Sequence, residues 1–211
     1  MPHPHIYMVS AKKVDLKIVI LGAMGAGKTS ILHRYVHKKF FEDYQTTLGA
    51  HVMSKNLEVE NITLRLQIWD MGGQDRFQPM VTSFYKGSDA CILTFDVTDE
   101  ESFECLDYWR KTFLESLRVP LDGFPVLLLG NKIDLKDRQV SKERALSWCE
   151  ERKATYFEVS AKDDVNVEQA FEKLSMDAFE RYLESLQSFM TDSFKLTPPS
   201  EDEPKPTSKC C

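Results

Sequence analysis

No stretch of the 211-residue chain approaches the ~20 apolar residues that cross a bilayer, and its amino end carries no signal-peptide core. The chain is therefore expected to be made and kept in the cytosol. Position 2 is Pro rather than the Gly that N-myristoylation requires, which excludes that anchor. There is no basic stripe: 27 Lys and Arg stand against 33 Asp and Glu, a formal charge of -6, and this balance argues against a nucleic-acid partner. Cysteine is scattered. Cys91, Cys105 and Cys149 lie in periodic apolar surroundings and read as buried thiols, whereas Cys210 and Cys211 end the chain. His3 and His5 have no further ligands beside them, so no metal site is expected there. What the chain does have is 42% hydrophobic residues over a length that suits one domain plus tails, enough for a sizeable core.

The most informative stretch is Gly22-Ala23-Met24-Gly25-Ala26-Gly27-Lys28-Thr29, which follows the apolar run Leu16 to Leu21 and opens into a helical pattern. It fits G-x-x-x-x-G-K-[ST], the phosphate-binding P-loop. Gly22 and Gly27 let the backbone bend around a triphosphate so that successive N–H groups point inward. Lys28 can reach the outer phosphates, and Thr29 can offer its hydroxyl to Mg²⁺. Ala23, Met24, Gly25, Ala26 and Ser30 complete the segment expected to line the nucleotide.

In chain order, Met1 to Lys13 lacks periodicity and is expected to be a disordered arm, 14–186 the folded domain and 187–211 a flexible tail. The first strand runs from about Asp15 to Leu21, and the helix after the P-loop turns Ile31, Leu32 and Tyr35 inward. A polar, aromatic-rich loop, Phe40 to Thr47, precedes two strands, about His51 to Glu58 and Ile62 to Asp70, joined by a hairpin turn. Asp70 leaves its strand beside the P-loop, where a carboxylate supporting Mg²⁺ is wanted. Strand and helix then alternate. Cys91 to Phe95 is a strand; Ser102 to Leu117 a helix with Phe103, Leu106, Trp109 and Phe113 on one side; Pro125 to Leu129 a strand. Ser141 to Arg152 is a helix with a partial capping box, Tyr156 to Val159 a last strand, and Val167 to Leu186 a last helix. This order predicts an α/β P-loop NTPase fold: a mostly parallel six-stranded sheet, helices on both faces and one antiparallel strand. Ligands of such sheets sit at the carboxyl ends of the strands.

Asn131-Lys132-Ile133-Asp134 and Ser160-Ala161-Lys162 fall at two such ends. Guanine presents N1–H and an amino group side by side, which a single carboxylate accepts together, and adenine has no such arrangement. Asp134 supplies that acceptor, so the base is expected to be guanine. With N-K-x-D, S-A-K and the P-loop in order, the chain resembles the Ras-like small GTPases. The resemblance implies that Asn131 holds the loop and the N7 side of the base, Lys132 lies over the ring, and Ala161 N–H meets the guanine oxygen. It also implies that Phe40 stacks on the base, Thr47 binds Mg²⁺ and the γ-phosphate in the GTP state, and Gly73 N–H meets that phosphate. The metal set would then be Thr29, Thr47 and Asp70. Losing the γ-phosphate releases both loops. Gln74 stands where the family orients the attacking water, which with Lys28 makes the catalytic pair. No arginine lies between Phe40 and Thr47, so a partner must supply the charge-stabilising one.

Smaller matches narrow the resemblance to the Rab family, from about Lys12 to Tyr182. They are Leu66 to Asp70, Asp75-Arg76-Phe77, Phe84 to Ser88 and Leu93 to Thr98, with Tyr35 to Phe40 and Leu128 to Leu135 most like the Rab-seven branch and its b subtype. This implies a membrane-anchored GTP/GDP switch in vesicle traffic. Its partners would be effectors at the switch surface, an exchange factor, a GTPase-activating protein, a GDP-dissociation inhibitor and a prenylation escort protein. Late endosome, lysosome or trans-Golgi would be its address. Trp69 and Tyr85 match two members of the family's effector-facing aromatic triad, and Val52 replaces the third. Cys210-Cys211 matches the family's double geranylgeranylation site, and with no polybasic run in the tail the second lipid must complete the anchor. The tail, with Pro198, Pro199, Pro204 and Pro206, reads as a tether of up to about 80 Å. Two departures stand out: Met24 where the family has Gly or Ser, and Met71-Gly72-Gly73-Gln74-Asp75 where it has Thr-Ala-Gly-Gln-Glu. Both point to slow intrinsic hydrolysis. The rival expectation is a GTP-bound scaffold with almost no hydrolysis; an ATP-dependent kinase is disfavoured by Asp134.

Overall fold

The computed structural model describes residues 13–42, 46–47, 49–72, 82–117 and 123–193, with side chains through 188. Six strands form one sheet: β1 (Lys13–Leu21), β2 (Ala50–Val59), β3 (Ile62–Met71), β4 (Ala90–Asp96), β5 (Val126–Asn131) and β6 (Thr155–Glu158). Their order is β2-β3-β1-β4-β5-β6; β2 runs antiparallel to β3, and every other pair is parallel. The helices are α1 (Lys28–His37), α2 (Glu100–Glu104), α3 (Leu106–Leu117), α4 (Lys142–Arg152) and α5 (Val167–Ser193). A short 3₁₀ turn covers Thr82–Tyr85.

Successive strand residues point to opposite faces, and the central strands are apolar on both, so each face carries its own core. Ile18 and Ile20 join Ile31, Leu32, Tyr35, Ile92, Phe171 and Leu174 beneath α1 and α5. Val19 and Leu21 join Leu93, Phe95, Trp109, Phe113 and Trp148 beneath α3 and α4. Tyr35 stacks on Phe171 with centroids 3.9 Å apart, which seats α1 against α5. At about 25 cal/mol per Å² of buried apolar surface, these two layers are the main source of stability.

The expected sheet is the observed one, with differences at element ends. β1 begins at Lys13, which pairs with Thr63, so the arm stops at Lys12 and lies outside the described residues. The single helix expected from Ser102 is two: α2 starts at Glu100, where the Asp99 carboxylate accepts the Glu101 N–H at 3.2 Å, and the chain turns at Cys105. Phe103 and Leu106 are both buried across that turn, so the apolar spacing runs through the break unbroken. α5 continues to Ser193, past the expected boundary at Leu186. Nothing between Gln187 and Ser193 is Pro or Gly, so no residue there breaks the helix. Residues 194–211 lie outside the described residues.

The hairpin turn closes with Glu60 in the left-handed region, φ 53°. Ser141 caps α4 by accepting the Arg144 N–H at 3.2 Å. Cys91 and Cys149 are buried thiols as expected, while Cys105 is half-buried.

Candidate nucleotide site

β1 delivers the chain to the P-loop, and α1 begins at Lys28, directly after Gly27 in the left-handed region at φ 87°. Gly22, at φ 140°, passes so close to β4 that a Cβ there would lie 2.0 Å from the Thr94 carbonyl oxygen. A Cβ at Gly27 would lie 2.3 Å from Asn131 Nδ2, whereas one at Gly25 would meet nothing within 4 Å. The loop is thus pinned at its ends and open at its crest. A cavity of about 550 Å³ lies over that crest, at the carboxyl ends of β1 and β5.

One end of the cavity is built for phosphate. Lys28 Nζ donates to the Gly22 and Ala23 carbonyls, both at 2.8 Å. Burial pushes its pKa down to about 8 against the pull of the Asp70 charge. Thr29 Oγ1 lies 2.8 Å from Thr47 Oγ1 and donates to Asp70 Oδ2 at 2.5 Å. Asp70 is fully buried; desolvation raises its pKa, with the Thr29 hydroxyl bond and the Lys28 charge pulling it back. Its other oxygen, Oδ1, is buried with no partner. An orphaned carboxylate oxygen and two converging hydroxyls form an oxygen donor set that fits a hard divalent cation, and the lysine parked on two carbonyls beside them fits phosphate.

The other end is built for a base. Asp134 accepts the Ser160 hydroxyl at 2.6 Å on Oδ1, and Asn131 Nδ2 donates to Ala26 O at 2.9 Å. Ala161 N–H reaches Asn131 Oδ1 across a long 3.3 Å. Lys132, in the left-handed region at φ 67°, pairs with Asp96 at 2.6 Å. Met24, Gly25, Gly27, Lys28, Thr29, Ser30, Phe40, Thr47, Asn131, Lys132, Asp134, Ala161 and Lys162 all face this one cavity.

Several expected site residues stand behind it. Gly22 and Ala23 serve through their carbonyls to Lys28, Ala26 through its carbonyl to Asn131, and Asp70 through Thr29. Ser160 is fully buried and acts on Asp134 rather than facing the cavity. Gly73, Gln74, Cys210 and Cys211, with His3 and His5, lie outside the described residues. Glu42, Thr46, Met71 and Leu135 face the cavity without having been anticipated. The support that Asp96 gives Lys132 was likewise not anticipated; it is an acidic residue near a strand end like Asp70, and the same signal would have found it.

Of the residues expected at the effector surface, Trp69 is accompanied by Phe84, at 5.5 Å between centroids, rather than by Tyr85. Val52 is 41% exposed and lies opposite Trp69 across the β2–β3 ladder. Tyr85, expected at the effector surface, is only 1% exposed and packs on Phe113 at 5.4 Å. It is a core residue of this face.

Fold and cavity together define a P-loop nucleotide-binding protein of the α/β class. The Ras family profile matches residues 17–180. The chain is 60% identical over 201 residues to the Ras-related protein Rab-7b of Bos taurus, covering 95% of this chain and 98% of that protein. It is 57% identical to Rab-7b of Homo sapiens over the same length and shares, and 48% identical over 175 residues to Rab-7a of Dictyostelium discoideum, covering 81% and 86%. The chain belongs to the Ras family, in its Rab group of small GTPases. It is accordingly a GTP- and GDP-binding GTPase of membrane trafficking, with the effectors, exchange and activating factors and dissociation inhibitor general to that group.

Proposed function

We propose that the chain is a Mg²⁺-dependent switch whose two states are read by effectors and whose own hydrolysis is slow. The observation that carries this is the single cavity joining Lys28 and Thr29 at one end to Asp134 at the other. A guanine nucleotide then lies with its base on the Asp134 carboxylate and its phosphates on the P-loop N–H groups, Lys28 and Thr29. Thr29 and Thr47 would hold the cation, with Asp70 fixing the Thr29 hydroxyl, and the bound cation would supply charge neutralisation at the phosphates. Asn131 joins the base loop to the P-loop, Lys132 backed by Asp96 covers the ring, and Phe40 closes the opposite side. Ala161 N–H shares its long bond with the guanine oxygen.

Water attacks the γ-phosphorus in line, giving GDP, phosphate and a proton, with Gly73 and Gln74 as the γ-phosphate and water partners. The activating protein's arginine contributes about 10³–10⁵ in rate, the general figure for Ras-type GTPases. Cys210 and Cys211 carry geranylgeranyl groups delivered with an escort protein. Resemblance to the Rab-seven branch supports late endosome, lysosome or trans-Golgi membranes as the site of action.

The decisive experiment is nucleotide competition with Asp134→Asn. The native protein is expected to prefer GTP over ATP by well over about 100-fold, since two charge-assisted hydrogen bonds are at stake. The variant should lose that preference and accept xanthosine triphosphate, whose 2-oxo group suits an amide donor. An unchanged preference would overturn the reading.

A further inference from the structure

One cationic side chain at the site's margin has no part in the scheme above. Arg34, on α1 six residues beyond Lys28, spends its guanidinium on backbone carbonyls. Nε donates to Ala161 O at 2.7 Å and Nη2 to Lys162 O at 2.7 Å, while Nη1 donates to Lys38 O at 3.1 Å. Lys38 is the C-cap of the same helix, in the left-handed region, and its own N–H returns to Arg34 O at 3.0 Å. The side chain is therefore anchored to the end of α1 by one arm and grips the base loop with the other two. Adjacent carbonyls match the planar fork of a guanidinium, which holds two acceptors in fixed relation where an ammonium holds one at a time.

Apart from Arg34, the loop is held at its ends and by the long 3.3 Å bond from the Ala161 N–H to Asn131 Oδ1. Ser160 and Val165 exchange N–H···O bonds of 3.2 and 3.1 Å, and the Asp163 N–H reaches Ser160 Oγ at 3.0 Å. Between those ties sit Ala161 and Lys162, both facing the cavity. The peptide plane that carries the Ala161 carbonyl is joined through one Cα to the plane that carries its N–H, so fixing the carbonyl limits where the N–H can point.

We infer that Arg34 is a positioning residue for the guanine base, clamping the Ala161–Lys162 backbone so that the Ala161 N–H is aimed at the oxygen on C6. This rests on the guanine reading above. One helix then serves both ends of the ligand: its first turn meets phosphate, and its last turns, about 9 Å further along, set the base loop.

The test is the release rate of fluorescently labelled nucleoside diphosphates from the full chain with Mg²⁺. Losing one well-aimed hydrogen bond is expected to speed GDP release from Arg34→Ala about tenfold. IDP keeps the C6 oxygen and should show the same rise. 6-Thioguanosine diphosphate has a sulfur there, a poor acceptor, and its rise should be under about threefold by the same reasoning. Arg34→Lys keeps the charge, loses the fork and should release GDP nearly as fast as the alanine variant. A uniform rise across all three nucleotides would mean general loosening and overturn the assignment, as would wild-type release from Arg34→Lys. Asp134→Asn separates the two claims. If the native chain selects guanine and Asp134→Asn abolishes that selection, yet Arg34→Ala releases GDP at the native rate, the clamp alone is wrong; if the native chain shows no guanine preference, both fall.

Discussion

Met24 reaches the cavity at the crest of the P-loop with 60% of its surface exposed, over the end where Lys28 and Thr29 sit. In the slow-hydrolysis scheme proposed above, a thioether side chain at that position would compete for the space of the attacking water and the Gln74 amide. Replacing Met24 by Gly should raise single-turnover GTP hydrolysis without activator by roughly tenfold, the effect of about 1.4 kcal/mol on the barrier. GTP affinity should change little, because the N–H cradle, Lys28 and Thr29 remain. An unchanged rate would remove the steric explanation. At this scale the lining of the cavity was largely readable in the sequence, since Lys28, Thr29, Asn131 and Asp134 all face it. Ser160 shows where such reading stops: a hydroxyl beside a base loop looks like a ligand contact, and only the fold reveals that it donates to Asp134 instead. Arg34 was invisible for a related reason, because its acceptors are backbone carbonyls 127 and 128 residues away, which carry no residue-type signal.

The P-loop is a connection between two rigid elements, and its glycines differ in what they do for that connection. Gly22 combines φ 140° with a Cβ path blocked by β4 backbone, the Thr94 carbonyl oxygen at 2.0 Å and its carbon at 3.1 Å. Neither atom can swing away as a side chain would, so Gly22→Ala must push β1 from β4. A loss of about 3 kcal/mol is expected from that overpacking. Gly25 is at φ 83° with open space around it, so Gly25→Ala should cost only the backbone term, about 1 kcal/mol. Urea unfolding of the nucleotide-free variants checks the contrast, and equal losses would contradict it. Element identity followed from the sequence wherever burial and period agreed, as in β1, β4 and β5. The α2–α3 break escaped because Phe103, Leu106, Trp109 and Phe113 keep helical spacing through the turn at Cys105. The end of α5 escaped for a different reason: residues 183–188 are all exposed, so core packing gives no guide to where the helix stops.

In the proposed scheme the whole molecule couples a bound nucleotide to a membrane. No described helix is long and apolar enough to cross a membrane; the anchor proposed above is the terminal Cys210-Cys211 pair. A single lipid chain binds marginally, and Cys210→Ser or Cys211→Ser should each leave most of the protein off vesicles in a flotation assay. Full recovery of both on the membrane would refute the two-anchor scheme.

Ligand dependence of stability follows from the site's own composition. Asp70 is buried with one oxygen unpaired, and Lys28 is buried among carbonyls, so both groups carry a desolvation cost that a cation and phosphate would offset. GDP with Mg²⁺ at about 1,000 times its Kd adds about 4 kcal/mol to the unfolding free energy. For a domain of this size that corresponds to roughly 10 °C in Tm. Chelating the metal with EDTA removes the charge between Asp70 and the phosphates, so Tm should fall to an intermediate value and GDP should leave at least about tenfold faster, one lost ionic contact's worth. ATP with Mg²⁺ at the same concentration should leave Tm at its nucleotide-free value, because Asp134 offers adenine an acceptor where it has no paired donors. A melt in which ATP matched GDP would break the link between base recognition and stability. One in which EDTA changed nothing would place the metal elsewhere than beside Thr29 and Thr47.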